Sequence, residues 1–232
     1  MNFLFKIKKG ETPAYAKIKK FILSLYKINI PFNKTLGKLL YNIRLTVLNI
    51  LKIIKNKLWD IPVFKSICKT YGRNLILYHG IPQVTGDLEI TIGNDVSFYK
   101  SEIEAKRKGS VCPYLKIGNN VVVGPGTIIK IKKSISIGND CLIGANNLIM
   151  DYYDFKDENF SADNNEGNSF FVEIKENVWT GRNVSILKGV TIGKNSIISA
   201  NSLVIEDVPE NVIAMGVPAK VVMRNIDKFY RV

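Results

Sequence analysis

The sequence contains a single histidine, His79, among 232 residues. That excludes any site built from several imidazoles. Its three cysteines, Cys68, Cys112 and Cys141, are scattered with no CxxC spacing. Neither a disulfide framework nor a cysteine-based zinc site is supported, and reduced thiols in the cytoplasm are the expectation; no metal is expected. Acidic residues are almost absent from the first 70 positions, where Glu11 and Asp60 face fifteen Lys and Arg. Residues 71–232 carry eighteen of each sign. Long apolar runs are missing too: TVLNILKII (46–54) is interrupted by Asn49 and Lys52 and is too short to span a bilayer. The opening MNFLFKIKKGE puts its lysines after a short apolar stretch, the reverse of a secretory leader, so a cytoplasmic location is expected.

What is present falls into two parts. The basic part, residues 1–70, reads as amphipathic helix. In KTLGKLLYNIRLTVLNILKIIKNKLW (34–59), Leu36, Leu39, Leu40, Ile43, Val47, Ile50, Leu51 and Ile54 recur at helical spacing, with Lys34, Lys38, Asn42, Asn49, Lys52 and Lys55 largely opposite. FILSLYKI (21–28) is flanked by lysines in the same way. Two readings stay open: a helix packed on the body with its lysines in water, or a helix lying on an anionic membrane surface. Lysines interleaved with aliphatics, without stacking aromatics, do not suit nucleic acid.

From about residue 88 the period becomes six. Aliphatics fall at Ile117, Val123, Ile129, then Ile137, Ile143, Ile149. After a break, Ile174, Thr180, Ile186, Ile192, Ile198 and Val204 keep the same interval. Small or β-branched residues such as Val121, Thr127, Cys141, Val178, Val184, Ser196 and Ser202 lie four positions on, and Gly or Asn stands ready for unusual turn dihedrals. A chain that turns every six residues closes a triangular coil of about eighteen, and stacked coils bury one continuous aliphatic column. Each coil advances roughly 4.8 Å, the spacing of paired strands.

IGNNVVVGPGTI, IGNDCLIGANNLIMD and NVWTGRNVSILKGVTIGKNSIISANSLVIEDVPENVIAMGVPAKVV resemble the hexapeptide-repeat acyltransferases. FKSICKTYGRNLILYHGIPQVTGDLEITIGNDV (64–96) more loosely resembles the entry to the repeat in bacterial polysaccharide and colanic-acid-type O-acetyltransferases. The resemblance implies a mainly β chain: a left-handed parallel β-helix over 71–224 with a loop at 151–171, preceded by the basic helical segment and followed by a tail, 225–232. It also implies a homotrimer, active sites between subunits and acetyl-CoA as co-substrate. The acceptor it suggests is a sugar hydroxyl of a surface polysaccharide or its lipid-linked precursor, at the inner face of the cytoplasmic membrane. A γ-type carbonic anhydrase shares the architecture but needs three histidines at each zinc, which one histidine excludes.

Acyl transfer to a hydroxyl needs a base and oxyanion donors. In the family a histidine shortly after a sequence like Ile149-Met150-Asp151 is that base. Here its place falls on Phe155, or with one insertion on Lys156. The remaining base candidates are Asp151 and Asp154 in an acidic loop, and His79 in the entry segment. A scaffold of the same fold that no longer performs transfer is the other reading. On the donor side the resemblance assigns Trp179 to the cofactor groove, Ser199 and Ala200 to close approach of the pantetheine, and Lys220 and Arg224 to the CoA phosphates.

Overall fold

A computed structural model of the chain describes residues 13–26, 33–107, 112–152 and 171–224. The chain divides into two compact units, Met1–Leu51 and Lys52–Val232. The first holds α1 (Pro13–Tyr26) and most of α2 (Lys34–Lys55). Asn33 starts α2 in the manner of an N-cap, its side-chain oxygen accepting the Thr35 and Leu36 backbone N–H groups at 3.0 Å each. No residue of α2 is buried, so its aliphatic face is open along its full length.

In the second unit a π-helical turn, Asn56–Asp60, leads into α3 (Ile61–Ile67). Phe64 of α3 is fully buried and meets Phe98 edge to face, ring centroids 5.6 Å apart. The Asn56 amide donates to the Leu77 carbonyl. These contacts close the N-terminal end of the column behind them.

Three sheets form the sides of that column. The first comprises β1 (Thr70–Tyr71), β4 (Glu89–Ile92), β7 (Tyr114–Ile117), β10 (Ser134–Ile137), β13 (Val172–Ile174) and β16 (Val190–Ile192). The second runs β2 (Ile76–Leu77), β5 (Ser97–Phe98), β8 (Val122–Val123), β11 (Leu142–Ile143), β14 (Trp179–Thr180) and β17 (Ile197–Ile198), then β19 (Val212–Gly216) and β20 (Ala219–Arg224). The third contains β3 (Gln83–Thr85), β6 (Glu102–Ala105), β9 (Ile128–Ile131), β12 (Leu148–Met150), β15 (Ser185–Ile186) and β18 (Leu203–Val204). Every neighbouring pair is parallel except β19–β20, a terminal hairpin whose tip carries Gly216 at φ 104 and a cis Val217–Pro218 bond.

The six-residue period is realised as columns of identical register. Ile117, Ile137, Ile174 and Ile192 stack on one side. Val123, Ile143, Thr180 and Ile198 stack on the second, and Ile129, Ile149, Ile186 and Val204 on the third. All are buried. Removing one such isoleucine side chain would cost about 2–5 kcal/mol in transfer and cavity terms.

The corners meet the expectation for asparagine but not for the glycines that follow the aliphatics. The left-handed dihedrals are carried mainly by Asn and Asp, including Asn120, Asp140, Asn177, Asn195 and Asn211 at φ 54 to 58. The glycines after the aliphatics have another task. A Cβ on Gly144 would lie 2.2 Å from the Gly181 carbonyl oxygen, and one on Gly181 would lie 2.6 Å from the Ala200 nitrogen. They are small because successive coils touch there.

Candidate functional site

The loop after β12 begins with Asp151, which is buried. Its carboxylate accepts three backbone N–H groups from the preceding coil: Lys132 at 2.6 Å, Lys133 at 2.8 Å and Ser134 at 2.7 Å. Burial pushes the carboxyl above the usual aspartate range, while those donors and the Lys132 charge pull it back. Both oxygens are engaged, so Asp151 acts geometrically as a clamp on the 132–134 turn. Asp154, with the Phe155 and Lys156 positions, lies outside the described residues.

Tyr152, which the sequence did not single out, is buried beside this clamp. Its hydroxyl lies 3.4 Å from a Glu104 oxygen, and the Lys106 ammonium sits 5.2 Å from its ring centroid. Glu104 also pairs with Lys130 at 3.2 Å. In sequence Tyr152 reads as one more polar-tipped residue in an acidic loop; only the fold brings Glu104, 48 positions earlier, beneath it.

His79 is exposed and follows β2 in the first coil. Its ring lies 5.9 Å from that of Tyr99, which in turn stacks on Tyr78 at 4.5 Å.

The residues expected on the donor side lie toward the other end. Trp179 projects from β14 with 48% of its surface exposed, flanked by Leu142 and Ile197 in the adjacent strands. Ser199 and Ala200 make the corner directly after β17, over Gly181 of the corner after β14. The Ser199 N–H is spent on the Ala214 carbonyl at 2.9 Å, and its own carbonyl accepts the Ser202 hydroxyl at 2.7 Å. That hydroxyl also accepts the Gly216 N–H at 3.2 Å, which ties the β19–β20 hairpin tip to the same corner. Lys220, paired opposite Met215 near this tip, meets Glu206 at 3.0 Å with both side chains well exposed. Arg224 sits opposite Val212 at the far end of the hairpin, about 13 Å along the strand from Lys220.

The fold therefore brings Trp179, Ser199, Ala200 and Lys220 to one edge, between the second and third sheets. His79 occupies the same edge five coils earlier, on the order of 24 Å away along the column. Asp151 belongs to a different edge, between the third and first sheets. Sequence reasoning missed Ser202, which read as a corner filler; the second of its two hydroxyl hydrogen bonds depends on a hairpin that has no repeat signature.

A family model described as bacterial transferase hexapeptide (six repeats) matches residues 171–206. Galactoside O-acetyltransferase of Escherichia coli is 37% identical over 118 residues, covering 50% of this chain and 58% of that protein. Polysialic acid O-acetyltransferase of Escherichia coli is 32% identical over 119 residues, covering 47% of this chain and 36% of that protein. This chain thus spans less than two thirds of either relative. Among solved structures, AntD, an N-acyltransferase from Bacillus cereus, superposes with a TM-score of 0.54 at 19% identity, covering 73% of this chain and 90% of that one. With the hexad columns, this likeness shows the fold of a left-handed parallel β-helix, and the stretch 171–206 carries the hexapeptide transferase repeat.

Proposed function

We propose that the protein is an acetyl-CoA-dependent O-acetyltransferase acting on a sugar hydroxyl of a bacterial surface polysaccharide or its lipid-linked precursor. The observation that carries this is the edge built from Trp179, Ser199, Ala200 and Lys220. It joins an exposed aromatic, a corner with little side-chain bulk and a cation beside one another. A thin acyl-pantetheine chain fits such a surface, and the names of the two Escherichia coli relatives supply the acetyl group and the saccharide class.

In this reading the sugar hydroxyl attacks the thioester carbonyl, its proton passes to a base, and CoA leaves as the thiol. Asp151 serves as the clamp of the turn, since its oxygens are already committed to three N–H groups. His79 belongs to the entry segment, where the family resemblance places no base, whereas the loop opened by Asp151 is where that base falls. Asp154, three residues after the clamp, is therefore the base we propose. The functional unit is a homotrimer with the groove between neighbours.

The helix α2 gives residues 1–60 a role at the membrane. Its open aliphatic face and its lysines suit an anionic bilayer surface, each basic residue adding about 1 kcal/mol there. Among the described residues no helix is long and apolar enough to cross a membrane. The absence of the usual loop histidine favours one second reading, a trimeric scaffold that binds the donor without turning it over. Thiol release from acetyl-CoA, measured with and without a panel of methyl glycosides, separates the two. Glycoside-dependent release supports the enzyme, and a lowering of that rate by 10²–10⁴-fold in Asp154→Asn identifies the base. Binding without release on any glycoside supports the scaffold.

A further inference from the structure

A cavity of about 290 Å³ opens where the coils turn from the second sheet to the third, lined by Lys100, Ser101, Glu102, Pro125, Gly126 and Ile128. Ser101 is 2% exposed, and its hydroxyl has no hydrogen-bond partner. A buried hydroxyl left unpaired is costly, so a wall that holds one invites a ligand that completes it. Tyr99 immediately precedes these wall residues and stacks with half-exposed Tyr78, and the His79 ring is tilted to that of Tyr99 at 5.9 Å.

Each feature narrows the ligand. A stacked tyrosine pair offers a flat apolar surface with a negative face, which attracts the C–H face of a pyranose. The wall presents an ammonium and a carboxylate two residues apart, so both hydroxyl-accepting and hydroxyl-donating partners are at hand without a net charge demand. The volume is at the small end of ligand cavities and suits one sugar ring rather than a chain.

We infer that Tyr78, Tyr99, Lys100, Ser101 and Glu102 form a monosaccharide subsite that holds a neutral pyranose of the acceptor, with its apolar face on the tyrosines. This rests on the acyltransferase reading and deepens it. Acceptor and donor then lie toward opposite ends of one edge, three to four coils apart, about 14–19 Å.

Saturation-transfer NMR on the full chain tests the subsite, using methyl glycosides of glucose, galactose and N-acetylglucosamine at about 10 mM, well above a millimolar constant. At least one glycoside should show transfer strongest at the ring protons of its apolar face. Tyr99→Ala should abolish that signal, Tyr99→Phe should keep it, and Tyr114→Ala, on the first sheet, should leave it unchanged. Ser101→Ala should weaken binding about tenfold while leaving the melting temperature unchanged or raised, because it removes an unpaired buried hydroxyl. No transfer to any of the three sugars, or transfer that survives Tyr99→Ala, overturns the subsite. Acetyl-CoA binding is measured separately. Donor binding without sugar transfer sinks only this inference, and sugar transfer without donor binding sinks only the acetyltransferase reading.

Discussion

The carboxylate of Asp151 reaches back one coil to accept the Ser134 backbone N–H at 2.7 Å. The turn it holds is where the six-residue interval is broken, since Ile129 and Ile137 are eight positions apart. The excess leaves N–H groups at 132 to 134 that no strand pairs, and one anion answers all of them.

Asp151→Asn should therefore destabilise the fold by about 2–4 kcal/mol, because the new NH₂ would face donors instead of accepting from them. Urea unfolding checks this. A variant of unchanged stability with abolished acetyl transfer would instead make Asp151 a catalytic base.

Alkaline pH probes the core through Cys141. Burial pushes its thiol from 9.0 up to about 11, and it donates to the Lys175 carbonyl at 3.0 Å. A folded pKa above the unfolded one gives a contribution that is complete below pH 9.0 and lost as pH rises toward 11. The stability difference between the native protein and Cys141→Ala should shift against the native protein across that window, by up to roughly 2–3 kcal/mol. Iodoacetamide at pH 8 should leave Cys141 unmodified until the chain unfolds. Modification of Cys141 in the folded protein would contradict its buried, neutral state.

The membrane role proposed for α2 predicts a clean separation of functions. Leu40, Ile43 and Val47 lie on its open aliphatic face. Replacing all three by Glu should abolish sedimentation with anionic vesicles, since their apolar anchorage is lost and like charges are added. The melting temperature of the column should stay within a degree or two, as these side chains bury nothing. Sustained vesicle binding by this variant would remove α2 from the account.

The fold was legible because each aliphatic of the hexad is both a sequence mark and a core contact. Ile174, Thr180, Ile186, Ile192, Ile198 and Val204 are all buried on the side that the period assigns them. What was not legible depends on spacings that the period does not fix. The Asn147 amide donates to the Thr180 hydroxyl at 2.6 Å across 33 positions, because the 151–171 loop intervenes between adjacent coils. The role of the glycines was hidden for a related reason. Smallness is visible in a sequence, but whether it serves a dihedral or a neighbouring coil is not. Asp151 read as a candidate base only because its three donors lie in an irregular turn of the coil before it.

The chain has two tryptophans, Trp59 and Trp179. In a Trp59→Phe background, Trp179 alone reports on the edge where the donor is proposed to bind. Titration with acetyl-CoA should change its emission saturably, with a constant in the micromolar range, weakened about tenfold by Lys220→Ala. Emission that stays flat through millimolar acetyl-CoA would contradict the central claim that this edge receives a thioester donor.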